Sequence, residues 1–196
     1  QELREVLEEI GADFYEAEGE AAFYGPKLDV QVKSANGHDV TLSTVQLDYQ
    51  LPERFELTYI DKDGSKQRPV VIHRAILGSL DRFIAFLLEE TKGNLPLWLS
   101  PIQAIVIPVS SEYQNDYATK VYEELKNNDI RVELDNRNEK LGYRLREAQT
   151  RKINYTLILG DKEKTDNTIS YRRHGEKNTT TVTIDEFIKL LKEEVK

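Results

Sequence analysis

Val71-Ile72-His73-Arg74-Ala75-Ile76-Leu77-Gly78-Ser79-Leu80-Asp81-Arg82-Phe83 is the stretch that is most informative about the fold of the first half of the chain. It predicts an apolar strand that ends before Gly78 and a helix from about residue 79 to residue 91, with Ser79 able to cap its first turn. Arg82 falls in that turn, where the helix dipole disfavours a cation. A bound phosphate would explain this position, because free N–H groups and a guanidinium both attract it. An ion pair between Arg82 and a surface acid such as Asp81 is the simpler alternative.

The residues before this stretch alternate between apolar and polar side chains, a pattern typical of half-buried strands. Asn36-Gly37 is a strong hairpin signal between two such segments. Further strands are predicted at residues 55–60 and 69–72. The first half is therefore predicted to be mostly antiparallel sheet, with a short helix over residues 2–10 in front of it.

In the second half, strand patterns alternate with helix patterns, which favours parallel strands joined by helical crossovers. Strands are predicted at residues 104–109, 130–134 and 155–159, helices at 113–126, 141–152 and 184–195, and a hairpin at 168–183. Glycine and prolines within residues 92–101 indicate a domain boundary. We therefore predict an α/β chain, α+β overall, with domains at residues 1–98 and 99–196. The second is a small α/β domain with a mixed sheet.

The composition excludes several classes of protein. There are no cysteines, so the chain alone forms no disulfide and no thiolate metal site. No apolar run approaches the roughly 20 residues that a membrane span needs. These features favour a cytoplasmic location. The chain starts with Gln1 and an acidic helix pattern follows directly, so we expect it to be part of a longer protein.

The net charge of −8 argues against nucleic-acid binding, but the charges are unevenly distributed. The acidic excess lies in the first half, whereas residues 137–152, here called the basic stripe, carry six bases and two acids. The stripe is compatible with a solvated helix face or with phosphate binding. The loop at residues 135–142 combines amide, guanidinium and amine groups, which suit base edges and phosphates but also suit an ordinary capped loop.

Several polar residues of the first half are candidates for a binding site. His73 is a lone histidine, which is more often structural than a metal ligand, and no second His or Cys lies within ligand spacing. Tyr24 and Lys27 flank a Gly-Pro turn, and Thr44 and Gln46 share one face of a strand because of its two-residue period. Each of them could equally be packed or solvated without a function.

Taken together, these segments resemble threonyl-tRNA synthetase, a class II aminoacyl-tRNA synthetase, over nearly the whole chain. The matching segments are residues 21–27 (AAFYGPK), 44–48 (TVQLD), 51–54 (LPER), 73–83 (HRAILGSLDRF), 98–101, 135–142 and 160–163 (GDKE). The resemblance implies the C-terminal half of such an enzyme. It would comprise the end of the catalytic domain, with part of its antiparallel sheet and the motif 3 helix, followed by an anticodon-binding domain.

For the first domain, the resemblance implies residue roles in catalysis. Arg82 would hold phosphate of ATP, which is used with Mg²⁺, and Lys27 and Ser79 would lie near the adenylate. His73 would be one of three zinc ligands, with the other two outside this chain, and the zinc would bind the amino and hydroxyl groups of threonine. The residues that would line the threonine pocket are Tyr24, Thr44 and Gln46.

For the second domain, the resemblance implies contacts with the anticodon of tRNA(Thr). The residues concerned are Asn138, Lys140, Glu163 and Arg172. An arginine plane can stack on a splayed base, while amide and carboxylate groups can read its edges. The resemblance also implies that the full-length protein is a homodimer.

Some features depart from the family pattern. Residues 40–43 (VTLS) replace a segment that usually contains a glutamine on the ATP side, and motifs 1 and 2 and an editing domain are absent from these 196 residues. We therefore expect that the chain alone does not join threonine to tRNA. The rival interpretation is a non-catalytic tRNA-binding or RNA-binding module derived from a synthetase.

Overall fold

The computed structural model describes residues 2–195 and divides into two compact units, residues 1–90 (unit 1) and 91–196 (unit 2). The division falls within a few residues of the Gly- and Pro-containing segment that suggested a boundary from the sequence. Among the described residues, no helix is long and apolar enough to cross a membrane.

Unit 1 is built on a three-stranded antiparallel sheet with the strand order β1-β2-β5. Its elements in chain order are α1 (Glu2–Glu9), β1 (Lys27–Lys33), β2 (Asp39–Asp48), α2 (Gln50–Arg54), β3 (Tyr59–Ile60), β4 (Lys66–Gln67), β5 (Val71–Ala75) and α3 (Leu80–Glu90). Strands β3 and β4 form a separate small hairpin. Among residues 2–90, Leu47 and Pro52 are the only apolar residues that are buried, so this unit has a small core.

The segment between β2 and β5 differs from the prediction. The strand expected at residues 55–60 is reduced to Tyr59–Ile60, and the unpredicted helix α2 precedes it. The Asp48 carboxylate accepts the backbone N–H groups of Gln50 and Leu51 at 3.0 and 2.9 Å, which starts that helix. Glu56 has a φ of 50°, which interrupts an extended chain.

The start of α3 also differs from the prediction. The Ser79 hydroxyl makes no hydrogen bond within residues 2–195, so the predicted side-chain cap is wrong. The Ser79 carbonyl instead accepts the Phe83 N–H at 3.0 Å, and the helix begins at Leu80.

Unit 2 contains a five-stranded mixed sheet with the order β10-β9-β8-β6-β7. The elements are β6 (Ala104–Pro108), α4 (Asn115–Asn127), β7 (Val132–Leu134), α5 (Leu141–Thr150), β8 (Tyr155–Leu159), α6 (Asp161–Asp166), β9 (Thr168–Arg173), β10 (Thr180–Thr183) and α7 (Ile184–Glu194). β6 pairs parallel with β7 and β8, while β9 and β10 add an antiparallel edge. The predicted α/β class, antiparallel in the first half and mixed in the second, is confirmed.

The core of unit 2 is large and lies on both sides of this sheet. One cluster joins the sheet to α4 and α7 and includes Val106, Val121, Leu157 and Phe187. A smaller cluster packs α5 against the other side of β6. Because α5 packs on β6, the part of that side formed by β9 and β10 is left more open.

Candidate functional site

The sheet of unit 1 brings most of the predicted catalytic residues onto one face. Gln46 on β2 lies opposite Lys27 on β1 and opposite His73 on β5. Two residues earlier on β2, Thr44 lies opposite Asp29. Since side chains two residues apart share a face of a strand, these five residues project from the same side of the sheet.

Tyr24, which lies in a turn before β1, is joined to two of these residues through polar contacts. The Tyr24 hydroxyl donates a short hydrogen bond to the Gln46 side-chain oxygen, and the Gln46 amide nitrogen lies 3.4 Å from the Thr44 hydroxyl. The Tyr24 ring meets the His73 ring edge-on, with centroids 5.8 Å apart. The threonine-pocket residues suggested by the sequence are therefore neighbours in the structure.

Tyr24 is positioned by the turn at Gly25. A side chain at this position would place its Cβ 2.1 Å from the Leu47 carbonyl oxygen, and the φ of 154° is rarely adopted by other residues. The Tyr24 carbonyl in turn accepts the Tyr49 N–H at 3.1 Å. A glycine is thus required for the turn to lie this close to β2.

His73 is held by a carboxylate that the sequence analysis did not select. Its Nε2 lies 2.9 Å from Oδ2 of Asp48, whose side chain is fully buried. Burial alone raises the pKa of Asp48, but hydrogen bonds from His73 and from the N–H groups of Leu51 and Gln50 outweigh it and hold the pKa below its ordinary value. When Nε2–H of His73 donates to the ionised Asp48, Nδ1 is the nitrogen able to bind a metal.

The described residues do not form a complete metal site. Within residues 2–195, no group of three or more His, Cys, Asp or Glu side chains is arranged to hold a metal ion. His73 fits a zinc site only as one ligand, with the remaining ligands supplied from elsewhere.

The residues expected on the ATP side, Lys27, Ser79 and Arg82, are less closely associated. The Lys27 amine donates to Asp29 at 2.7 Å, and this contact raises the pKa of Lys27. Arg82 is exposed and forms no ion pair within the described part of the chain, so the alternative of a pair with Asp81 is wrong. Neither Ser79 nor Arg82 makes a hydrogen bond with the Tyr24, Gln46 and His73 cluster.

In unit 2, two of the predicted anticodon residues stand at the start of α5. Asn138 and Lys140 are exposed, and their side chains make no hydrogen bond or ion pair with any residue the structure describes. The Lys140 carbonyl accepts the N–H groups of Tyr143 and Arg144 at 2.9 and 3.2 Å, which fixes the backbone at this position. Their polar groups are therefore available to a ligand.

The other two residues differ from each other. Glu163 accepts from the Gly160 N–H at 2.9 Å and from the Ser170 hydroxyl at 2.7 Å, so it also stabilises the start of α6. Burial raises the pKa of Glu163, but these two hydrogen bonds outweigh it and lower the pKa. Arg172 on β9 is half-buried, and its side chain makes no hydrogen bond or ion pair within the described residues.

The basic stripe is mostly not available for phosphates. Arg137 is paired with Asp135 and Glu147 at 2.8 and 2.9 Å, and Arg151 is paired with Glu133 at 2.8 Å. The buried Arg144 donates to the carbonyls of Val109, Asp135 and Glu139, and Lys152 donates to the Lys92 carbonyl. Of the six bases, Lys140 and Arg146 are the two whose side chains have no partner among residues 2–195.

For Asp48 and Arg144, which were not among the predicted site residues, the spacing in the sequence does indicate which way the side chain faces. Asp48 lies two residues after Gln46 on the same strand, so the two-residue period that grouped Thr44 with Gln46 also includes it. Arg144 lies within the apolar spacing of α5 between Leu141 and Ala148, which indicates an inward-facing position. Nothing in the sequence indicates that Asp29 pairs with Lys27 rather than with a ligand.

Comparison with known proteins agrees with the division of the chain into two units. Residues 1–91 match the family model of the tRNA synthetase class II core domain (G, H, P, S and T), and residues 103–194 match that of the anticodon binding domain. The chain is thus a class II tRNA synthetase core segment joined to an anticodon-binding domain.

Individual relatives show which family of class II tRNA synthetases the chain resembles. The chain is 56% identical to a threonine–tRNA ligase of Oceanobacillus iheyensis over 193 residues and 58% identical to threonine–tRNA ligase 1 of Bacillus subtilis over 187 residues, matches that cover 98% and 95% of this chain. Its fold matches the crystal structure of the RNA binding domain of threonyl-tRNA synthetase from Cryptosporidium parvum Iowa II with a TM-score of 0.89, at 38% identity over 98% of this chain and 48% of that one. The chain belongs to the threonyl-tRNA synthetase family and spans about 30% of the length of the curated relatives it matches.

Proposed function

We propose that this chain supplies part of the threonine and ATP site, together with the anticodon-binding domain, of an enzyme that joins threonine to tRNA(Thr) in the cytoplasm. In this reaction the threonine carboxylate attacks the α-phosphate of ATP, which is used with Mg²⁺, giving threonyl-adenylate and releasing pyrophosphate. The threonyl group then passes to the 3′ end of the tRNA with release of AMP. The observation that carries the proposal is the sheet face shared by Thr44, Gln46 and His73, with the Tyr24 hydroxyl bonded to Gln46, within a segment that matches the synthetase core.

The polar wall formed by Tyr24, Thr44 and Gln46 would orient the amino acid. Two of its groups are already bonded to each other, so their positions are fixed before a substrate arrives. A zinc ion bound through His73 would supply a Lewis acid for the amino and hydroxyl groups of threonine. Valine lacks the hydroxyl, and a polar site left unpaired discriminates against such an analogue far better than an apolar pocket does.

The positive groups would act on the phosphates. Arg82 has no acidic partner and stands in the first turn of α3, so its guanidinium can stabilise the charge that develops on the α-phosphate. Lys27 would act near the adenylate, and its pairing with Asp29 holds the amine in place. Ser79 would provide a hydroxyl beside the nucleotide, since this group is not used by the helix.

Binding of tRNA(Thr) would use Asn138, Lys140, Glu163 and Arg172 on unit 2. The first two have unpaired polar groups, Glu163 retains free lone pairs for base edges, and Arg172 has an uncommitted guanidinium. The rival module without catalysis is not favoured, because the relatives matched over the whole chain are threonine–tRNA ligases and the polar cluster of unit 1 is intact.

The test uses the full-length protein and measures threonine-dependent exchange of pyrophosphate into ATP. Arg82→Ala is expected to reduce kcat/KM by about 100-fold or more, because it removes charge stabilisation from the transition state. Arg74→Ala is the matched control, since Arg74 is an exposed arginine next to His73 on the opposite face of β5. Equal activity of the Arg82 and Arg74 variants would contradict the proposed site.

The full-length protein is also expected to be a homodimer, whereas residues 1–196 alone are expected to show no exchange. Sedimentation of the full-length protein tests the first statement. Threonine-dependent exchange by residues 1–196 would contradict the second.

A further inference from the structure

Asp29 on β1 connects two groups of unit 1 that were considered separately above. Its Oδ2 accepts a hydrogen bond from the Lys27 amine at 2.7 Å. Its carboxylate also accepts from the hydroxyl of Thr44, which lies directly opposite on β2. Lys27 belongs to the residues proposed for the adenylate, and Thr44 belongs to those proposed for the threonine pocket. Asp29 therefore stands between the two halves of the candidate site.

The pair of Lys27 and Asp29 is shielded from water. Their side chains are 28% and 16% exposed. A second lysine–aspartate pair at the other end of the same hairpin, Lys33 and Asp39, is 74% and 59% exposed. Burial raises the pKa of Asp29, but hydrogen bonds from Lys27 and Thr44 outweigh it and hold the pKa below its ordinary value. Asp29 is therefore ionised at neutral pH.

The charge of Asp29 sets the direction of a chain of hydrogen bonds. An ionised carboxylate only accepts, so the Thr44 hydroxyl must donate to it. The Thr44 oxygen then offers only lone pairs to the Gln46 amide nitrogen, which lies 3.4 Å away. With its nitrogen turned towards Thr44, Gln46 presents its side-chain oxygen to the Tyr24 hydroxyl, which donates to it. Each donor from Tyr24 to Asp29 thus points towards the carboxylate.

This direction decides which groups the threonine pocket offers to a ligand. The Tyr24 proton is already used, so its oxygen can only accept. The Gln46 amide keeps one N–H that is not bonded within residues 2–195. A ligand that carries both donors and acceptors, as an amino acid does, matches this pattern. If the chain ran the other way, the same ligand would meet unpaired polar groups, which is costly in a site closed to water.

We propose that Asp29 is a positioning residue that fixes the donor and acceptor pattern of the threonine pocket through Thr44 and holds the Lys27 amine for the ATP side. It acts through these two side chains rather than by a contact of its own with a substrate. The proposal rests on the proposed function, which supplies the roles of Lys27 and Thr44, and adds the residue that connects them.

The experiment measures the KM for threonine and the KM for ATP separately, in pyrophosphate exchange by the full-length protein. Asp29→Asn keeps the shape of the side chain, but its amide can donate to Thr44 and reverse the chain. Each KM is expected to rise about threefold to tenfold, the value of a typical hydrogen bond. Asp29→Glu keeps the charge and is expected to recover most of this loss.

The matched control is Asp39→Asn. It removes the same charge from the exposed pair with Lys33, at the far end of the hairpin from Gln46. Because an exposed ion pair contributes little and lies away from the pocket, neither KM is expected to change.

Two double variants distinguish positioning from a general loss of stability. In a Thr44→Val background, which lacks the hydroxyl, Asp29→Asn is expected to change only the KM for ATP. In a Lys27→Ala background, it is expected to change only the KM for threonine. A residue that merely stabilises the sheet would shift both KM values in both backgrounds, because it would not act through one partner for each substrate.

The outcomes separate this proposal from the proposed function. If exchange depends on threonine and Arg82→Ala reduces it, but Asp29→Asn has the same KM values as Asp39→Asn, Asp29 is not a positioning residue and the proposed function stands. Equal shifts of both KM values in the two double variants, or an Asp29→Glu variant as impaired as Asp29→Asn, would also overturn the role of Asp29. Absence of threonine-dependent exchange by the full-length protein would overturn the proposed function and this proposal together.

Discussion

Two arginines of unit 2, Arg144 and Arg172, carry the same charge but lie in different environments. Arg144 is 1% exposed and donates hydrogen bonds to the backbone carbonyls of Val109, Asp135 and Glu139. These bonds connect the loop before α5 to the end of β6. Burial lowers the pKa of Arg144. Arg172 has no such partners and faces the open side of the sheet. Charge in the sequence alone does not distinguish an arginine that holds the fold from one that is free to bind RNA.

Replacement of Arg172 by Ala is expected to weaken binding to the threonine tRNA anticodon stem-loop by about 1–3 kcal/mol, the value of stacking on a base. Arg172→Lys should recover only part of this loss, because lysine keeps the charge but lacks the planar guanidinium. Fluorescence anisotropy with labelled stem-loop measures both variants. A loss below about 0.5 kcal/mol for Arg172→Ala would contradict its assignment.

At the scale of helices and strands, α6 shows that a residue proposed to recognise tRNA can also stabilise the fold. Glu163 bonds the Gly160 N–H at the start of the helix and the Ser170 hydroxyl on β9. Ser170 in turn lies 2.7 Å from the Thr181 hydroxyl on β10. The carboxylate is thus held beside the open face of the sheet by the same contacts that fix the helix.

The Glu163→Gln substitution is expected to destabilise unit 2 by about 1 kcal/mol, because an amide has only one acceptor oxygen for these two donors. Since the pKa of Glu163 is lowered in the folded protein, the unfolded state binds more protons below about pH 4.5. Its contribution is therefore complete at neutral pH and is lost on acidification. Urea unfolding at pH 7 and at pH 3.5 measures this, and the difference between the chain and the variant should be smaller at pH 3.5. An equal difference at both pH values would contradict the explanation.

Much of the element order was predictable, because the period of two in the first half and the alternation of strand and helix in the second are strong local signals. The errors arose where a long-range contact decided the structure. Helix α2 depends on the buried Asp48 carboxylate, which accepts hydrogen bonds from its first N–H groups. Most bases of the basic stripe are paired with Asp135, Glu133 or backbone carbonyls from other elements. Such partners cannot be identified from local spacing, and so the candidate site residues were assigned mainly through the resemblance to a family.

For the molecule as a whole, the two units differ greatly in how much apolar surface they bury. Unit 2 has a continuous core with Val106, Leu157 and Phe187 fully buried, whereas among residues 2–90 Leu47 is the only buried aliphatic or aromatic side chain. Unit 1 also exposes large apolar side chains, among them Phe23, Phe55, Ile76 and Leu80. Because burial of apolar surface is the main favourable term in folding, the units should differ in stability.

The 196-residue chain is therefore expected to unfold in two steps, with unit 1 first. Backbone amides in β1, β2 and β5 should exchange with deuterium far faster than those in β6 and β8, because local opening is easiest where few apolar contacts are lost. A dye that binds exposed apolar surface should fluoresce with the folded chain. Leu47→Ala should leave the protection of β6 and β8 amides from exchange unchanged, since Leu47 belongs to unit 1. Leu157→Ala is the matched change in the large core and should reduce protection there by about 2–5 kcal/mol. One unfolding transition, with equal amide exchange rates in all five of these strands, would contradict this prediction. It would show that the small core of unit 1 does not make that unit less stable than unit 2.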